Sequence, residues 1–129
     1  MRTARCACGQ LSVTVDGAPV RAAICHCDDC RRLSGSAFSW NARWADDAVT
    51  VSGAARIFER RGDEGSTIAN HFCPDCGVTV FYRNSDVAGY TAIRVGCFGR
   101  PDGLAPGFSV YDERRPDWIV LPDALERWN

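Results

Sequence analysis

Apolar and polar residues alternate over residues 11–15, 38–44, 49–51, 56–58, 78–82 and 93–95. A repeat of two is the period of a strand with one buried and one polar face, so the pattern predicts a mostly β chain. The separators include Asp16-Gly17, Gly62-Asp63, Pro101-Asp102-Gly103 and Ala105-Pro106-Gly107, whose backbone preferences suit tight turns. Helical signals are sparse. One turn is expected over residues 28–33, and a short terminal helix over 122–128, beginning at a proline. The aromatic residues Phe38, Trp40, Trp44, Phe81, Tyr82 and Trp118 fall on or near these segments and are expected mainly in the core, the alternative being that they line a ligand pocket.

The chain has 129 residues, the size of one domain, and a single domain over residues 1–129 is expected. No stretch approaches the roughly 20 apolar residues that a membrane span requires. The first cysteine motif begins at Cys6, leaving no room for a secretory leader, so a cytoplasmic protein is expected. All fifteen basic residues are arginine, yet the net charge is only −1. Acidic residues Asp28, Asp29, Asp63, Glu64, Asp112 and Glu113 interrupt the arginines, which disfavours a nucleic-acid partner.

Cysteine changes the picture most. Seven of the eight cysteines fall in three clusters: Cys6 and Cys8, then Cys25, Cys27 and Cys30, then Cys73 and Cys76. A disulfide framework requires an oxidising compartment, and neighbours spaced C-x-C bridge each other only with strain. Knuckles of the C-x-C and C-x-x-C kind instead aim two sulfurs at one point about 2.3 Å from a zinc ion. Gly9 and Gly77 follow two of these knuckles, where the backbone must turn beneath the metal.

A structural zinc takes four ligands, so two, three and two cysteines divide into a closed four and an incomplete three. Cys6, Cys8, Cys73 and Cys76 would staple the amino end to the middle of the chain. Cys25, Cys27 and Cys30 would be left with an open position, unless Cys97 or a histidine closed it. Cys97 reads more simply as a small buried side chain. His26 lies between two ligands and would point away from the metal, into a packing or supporting role, and His71 is read likewise. Thiolates around a divalent ion leave net negative charge, and Arg31 and Arg32 stand beside Cys30 as candidates to balance it.

These motifs resemble the glutathione-dependent formaldehyde-activating enzyme family, whose domain is shared with centromere protein V. The resemblance rests on Cys6-Ala7-Cys8-Gly9, on Cys25-His26-Cys27-Asp28-Asp29-Cys30-Arg31-Arg32 with Ser34-Gly35, on Phe72-Cys73-Pro74-Asp75-Cys76-Gly77, and on Pro116-Asp117-Trp118-Ile119 before Pro122-Asp123. It implies a β-tent fold of two small antiparallel sheets stapled by zinc. It also implies a structural Zn²⁺ on Cys6, Cys8, Cys73 and Cys76 and a catalytic Zn²⁺ on Cys25, Cys27 and Cys30. The implied activity is that of a carbon–sulfur lyase acting on glutathione, or another small thiol, and formaldehyde. An open triplet beside a polar cleft would favour this reading. The alternative is a non-catalytic zinc module for protein or nucleic-acid interaction, which predicts an exposed basic or apolar patch.

Overall fold

The computed structural model describes residues 1–129. Its elements in chain order are β1 (Arg2–Arg5), β2 (Ser12–Val15), β3 (Arg21–Cys25), α1 (Asp28–Ser34), β4 (Ser39–Ala45), β5 (Val49–Ser52) and β6 (Arg56–Arg61). They continue with β7 (Thr67–Phe72), β8 (Thr79–Asn84), β9 (Tyr90–Arg94), β10 (Phe108–Val110) and β11 (Glu126–Trp128). Two sheets result: an antiparallel β1-β2-β5, and an eight-stranded β11-β10-β3-β4-β9-β8-β7-β6. The mostly β architecture with two sheets is as expected. The larger sheet adds a parallel flank, because β10 runs parallel to both β3 and β11.

The alternation that predicts the strands also decides what each face holds. On β4, Ala42 and Trp44 are almost fully buried against the small sheet, while Ser39, Asn41 and Arg43 occupy the other face. Trp44 joins Ala4, Leu11, Val13, Val15, Val80 and Ile93 in one core between the sheets. Its indole Nε1 donates to the Gly17 carbonyl at 3.1 Å, so the only polar atom of that ring is satisfied. Burying each large apolar side chain contributes roughly 1.5–3 kcal/mol.

Each predicted segment holds a strand, with Val95 turning instead into a 3₁₀ segment, Val95–Phe98. Strands β1, β3, β7, β10 and β11 escaped the hydrophobic pattern. In β7 the reason is specific: Asn70 lies on the cleft face, where Arg94 bonds it, yet is fully buried, which breaks the apolar rhythm. The helix expected over residues 122–128 does not form. A turn closes from Leu125 N to the Pro122 carbonyl at 3.1 Å, and Glu126–Trp128 becomes β11. A helix this short has little stability of its own, whereas Trp128 gains packing against Phe108 at 5.3 Å between ring centroids. Trp118, expected in the core, is 78% exposed.

A loop from β5 to β6 lies tightly against the first cysteine turn. The Ala54 amide donates to Gln10 Oε1 at 3.0 Å, and Gly53 adopts φ +95°. A Cβ on Gly53 would lie 1.8 Å from the Gln10 carbonyl oxygen, a backbone atom that cannot step aside. We expect Gly53→Ala to destabilise the fold by about 2 kcal/mol or more. An unchanged denaturant midpoint would contradict this close approach.

Candidate metal centre and cleft

The turn between β1 and β2 and the turn between β7 and β8 meet, bringing Cys6, Cys8, Cys73 and Cys76 together with all sulfurs within 4.8 Å of one another. Cys6 and Cys8 Sγ are 3.6 Å apart, and Cys8 and Cys73 Sγ 3.7 Å. Four sulfurs at about 2.3 Å from a tetrahedral ion would be about 3.8 Å apart, so this spacing fits a thiolate-bound metal. It is far beyond the ~2 Å of a disulfide. Gly9 and Gly77 take φ +85° and +81°, and their amides return to the Cys6 and Cys73 carbonyls at 3.2 and 2.8 Å.

Donors already point at the sulfurs. The Leu11 amide reaches Cys6 at 3.3 Å, the Asp75 amide reaches Cys73 at 3.4 Å, and Gln10 Nε2 reaches Cys73 at 3.0 Å. Burial opposes ionisation of Cys73, but Gln10 and the Cys76 and Asp75 amides outweigh it and bring the thiol down to about 6. The arrangement thus favours a thiolate at Cys73, whereas at Cys8 the Gln10 backbone amide is outweighed by burial and the neighbouring sulfurs, which push that thiol up to about 12.

The second cluster forms where β3 runs into α1. Cys25 ends the strand, Cys27 caps the helix and Cys30 lies in its first turn, and their three sulfurs also fall within 4.8 Å of one another. The Cys30 amide donates to Cys27 Sγ at 3.3 Å, which holds the knuckle closed. Neither histidine nor Cys97 belongs to this group. Cys97 packs against the core in the 3₁₀ segment, and burial pushes its thiol up to about 11. His26 turns inward, fully buried, with Nε2 3.1 Å from Ser109 Oγ. Ser109 in turn donates to Asp112 at 2.8 Å, so the imidazole is the donor to Ser109. His71 stacks on Phe81 at 4.3 Å.

The triplet opens into a cleft of about 410 Å³ on the polar face of the large sheet. Every strand of that sheet contributes to its lining, from Trp128 on β11 to Arg60 on β6, so the sheet curls around it. Tyr82 and Tyr111 line the cleft, and burial pushes both phenols above the usual tyrosine range. Tyr111 adopts φ +52°, the only non-glycine residue at positive φ. A bulky residue there costs on the order of 1–3 kcal/mol, which the fold sustains at the cleft wall.

The charge expected of Arg31 and Arg32 falls to another residue. Arg31 bonds Asp28 at 2.7 Å and the Arg114 carbonyl at 2.8 Å, and the Arg32 side chain is 77% exposed. Arg94 instead lines the cleft on β9. Its Nη1 and Nη2 donate to the side-chain oxygens of Asn41 at 2.9 Å and Asn70 at 3.3 Å. Both partners are neutral, so the guanidinium charge is left for the thiolates. Asn41 also donates to Ser39 Oγ at 3.0 Å, freeing the Ser39 proton for Cys30. Hydrogen bonds from Cys25 and Cys27, then Ser39 and the Arg94 charge, lower Cys30 to about 3 against its burial. The neighbouring Cys27 and Cys30 thiols push Cys25 upward. The sequence signal for Arg94 was its polar position within 93–95; its neighbours on β4 and β7 were not readable.

A family model described as glutathione-dependent formaldehyde-activating enzyme matches residues 1–114. Among solved structures, this chain is similar in fold to a Rhodobacter sphaeroides protein at TM-score 0.61 and 17% identity, over 98% of this chain and 99% of that one. Two cysteine clusters, of four and three, can each hold a metal ion. No helix is long and apolar enough to cross a membrane.

The two clusters should differ in their weight on stability. Cys73→Ser should lower the denaturant midpoint sharply and remove one equivalent of bound metal, since such sites contribute many kcal/mol to folding. Cys27→Ser should lose the other equivalent with a much smaller stability loss, read by circular dichroism and metal analysis. Equal destabilisation by both would refute the division.

Proposed function

The chain belongs to the glutathione-dependent formaldehyde-activating enzyme family, and from that premise we propose that it is a zinc-dependent carbon–sulfur lyase acting on glutathione or a small thiol adduct. Clustered cysteine sulfurs at near-tetrahedral spacing favour zinc over the harder divalent ions. Cys6, Cys8, Cys73 and Cys76 would hold a closed, structural ion, while Cys25, Cys27 and Cys30 would hold one with an open position. When bound there, the ion supplies Lewis acidity that favours the thiolate form of an incoming thiol.

The reaction forms one bond, between the thiol sulfur and the formaldehyde carbon, and the thiol proton ends on the former carbonyl oxygen. In the lyase direction the same bond breaks and the proton returns. Arg94 offsets the negative charge of the cysteine cluster from a position fixed by two amide oxygens. Tyr82 and Tyr111 keep their phenolic protons at neutral pH and line the space where an oxyanion would develop. The carrying observation is the three-sulfur cluster opening into a concave, arginine-lined cleft. An interaction module would display its basic groups on an exposed patch.

Exchange between formaldehyde, glutathione and S-hydroxymethylglutathione, followed by NMR saturation transfer, tests this. The zinc-loaded protein should speed the exchange above the spontaneous rate, and Cys27→Ser should return it to that rate while the fold persists. Full activity in folded Cys27→Ser protein would sink the proposal.

A further inference from the structure

The end of the cleft away from the cysteines presents a second chemical feature. Arg21 on β3 pairs directly with Arg43 on β4, and Arg43 pairs with Ala92 on β9. Directly opposed residues of an antiparallel pair have Cβ atoms roughly 5 Å apart, a spacing at which like charges repel. Neither arginine takes part in an ion pair, although the neighbouring cleft residues Arg60 and Asp63 are paired with Asp29 and Arg114. Glu126, also near Arg21, accepts the Trp128 indole proton at 2.8 Å instead.

The fold holds these charges in place. The Arg21 guanidinium lies 4.7 Å from the Phe108 ring centroid and 5.2 Å from that of Trp128, and Arg43 lies 5.9 Å from Tyr90. Arg21 Nε is buried without a hydrogen-bond partner. Burial first, and the Arg43 charge second, make protonated Arg21 less favourable. Aromatic walls and opposed guanidiniums form a built cradle for an anion.

Arg21 and Cys25 share one face of β3, four residues apart, with only the Ala23 methyl between them. At ~3.3 Å per residue the span is roughly 13 Å between Cα positions, and the arginine side chains shorten it. We infer that Arg21 and Arg43 form a carboxylate subsite that selects extended thiols carrying a carboxylate remote from the sulfur. This inference rests on the thiol reading of the same cleft and makes the pair specificity-determining: uncharged small thiols such as mercaptoethanol cannot reach it.

Titration calorimetry on the zinc-loaded full chain separates the two readings. Three probes are used: glutathione, S-methylglutathione, whose sulfur cannot ionise, and the glutathione diethyl ester. Arg21→Gln and Arg43→Gln should each weaken glutathione and S-methylglutathione by about tenfold to a hundredfold. The ester should bind wild-type protein correspondingly weakly and be indifferent to either substitution. Both variants should stay close to wild type in stability, because relief of the like-charge contact offsets the lost aromatic contacts. Wild-type affinity for S-methylglutathione in both variants, no binding of that probe by wild type, or an ester that binds as well as the acid would overturn the subsite. Cys27→Ser should weaken glutathione alone. If it changes nothing while the arginine variants still weaken S-methylglutathione, the thiol reading falls and the carboxylate subsite stands.

Discussion

The meeting of four sulfurs between two distant turns is the constraint on which the other features rest. The β1–β2 turn carries Cys6 and Cys8, the β7–β8 turn carries Cys73 and Cys76, and the spacing fits one tetrahedral ion. Cys6 and Cys73 are themselves buried members of the apolar core. The staple therefore sits at the edge of the same layer that Trp44, Leu11 and Ile93 fill. A chain of this length buries only a modest core, and an ion held by these four sulfurs would tie the small sheet to the outer half of the large one. Gln10 links the staple to its surroundings by bonding both Cys73 and the Ala54 carbonyl.

With one face of the large sheet committed to that core, the other is free to be polar. The alternation that sends Ala42 and Trp44 inward sends Asn41 and Arg43 into the cleft. Successive positions along β3 place Arg21, Ala23 and Cys25 in one line down its length. Polar residues there are not a solvated exterior. Curvature of an eight-stranded sheet gathers them around about 410 Å³, with Tyr111 held at positive φ in the wall. Such a surface concentrates positive charge near the three sulfurs, and low-dielectric walls strengthen each interaction.

Supporting polar groups give the three-cysteine cluster its order. Arg94, Asn41, Asn70 and Ser39 bond in series on the cleft side. On the interior side, His26 bonds Ser109, Ser109 bonds Asp112, and Asp112 bonds Arg115 at 3.2 Å. The cysteine knuckle is thus fixed from both faces. Ligand-bearing turns gain precision from such partners, because a sulfur displaced by an ångström no longer shares a centre with its neighbours.

Local chemistry was legible in the sequence. The seven clustered cysteines, the glycines beneath two knuckles, the short helix after Cys27 and six of the strands follow from spacing, turn preference and period two. These depend on residues a few positions apart. Arg94 displacing Arg31 and Arg32 beside the thiolates, Arg21 facing Arg43, and Trp128 leaving a predicted helix for a parallel strand were decided by the tertiary structure. Each depends on which strands lie side by side and in what register. Register is set by the packing of whole faces, so a shift of one residue would send every one of these side chains to the opposite side of the sheet.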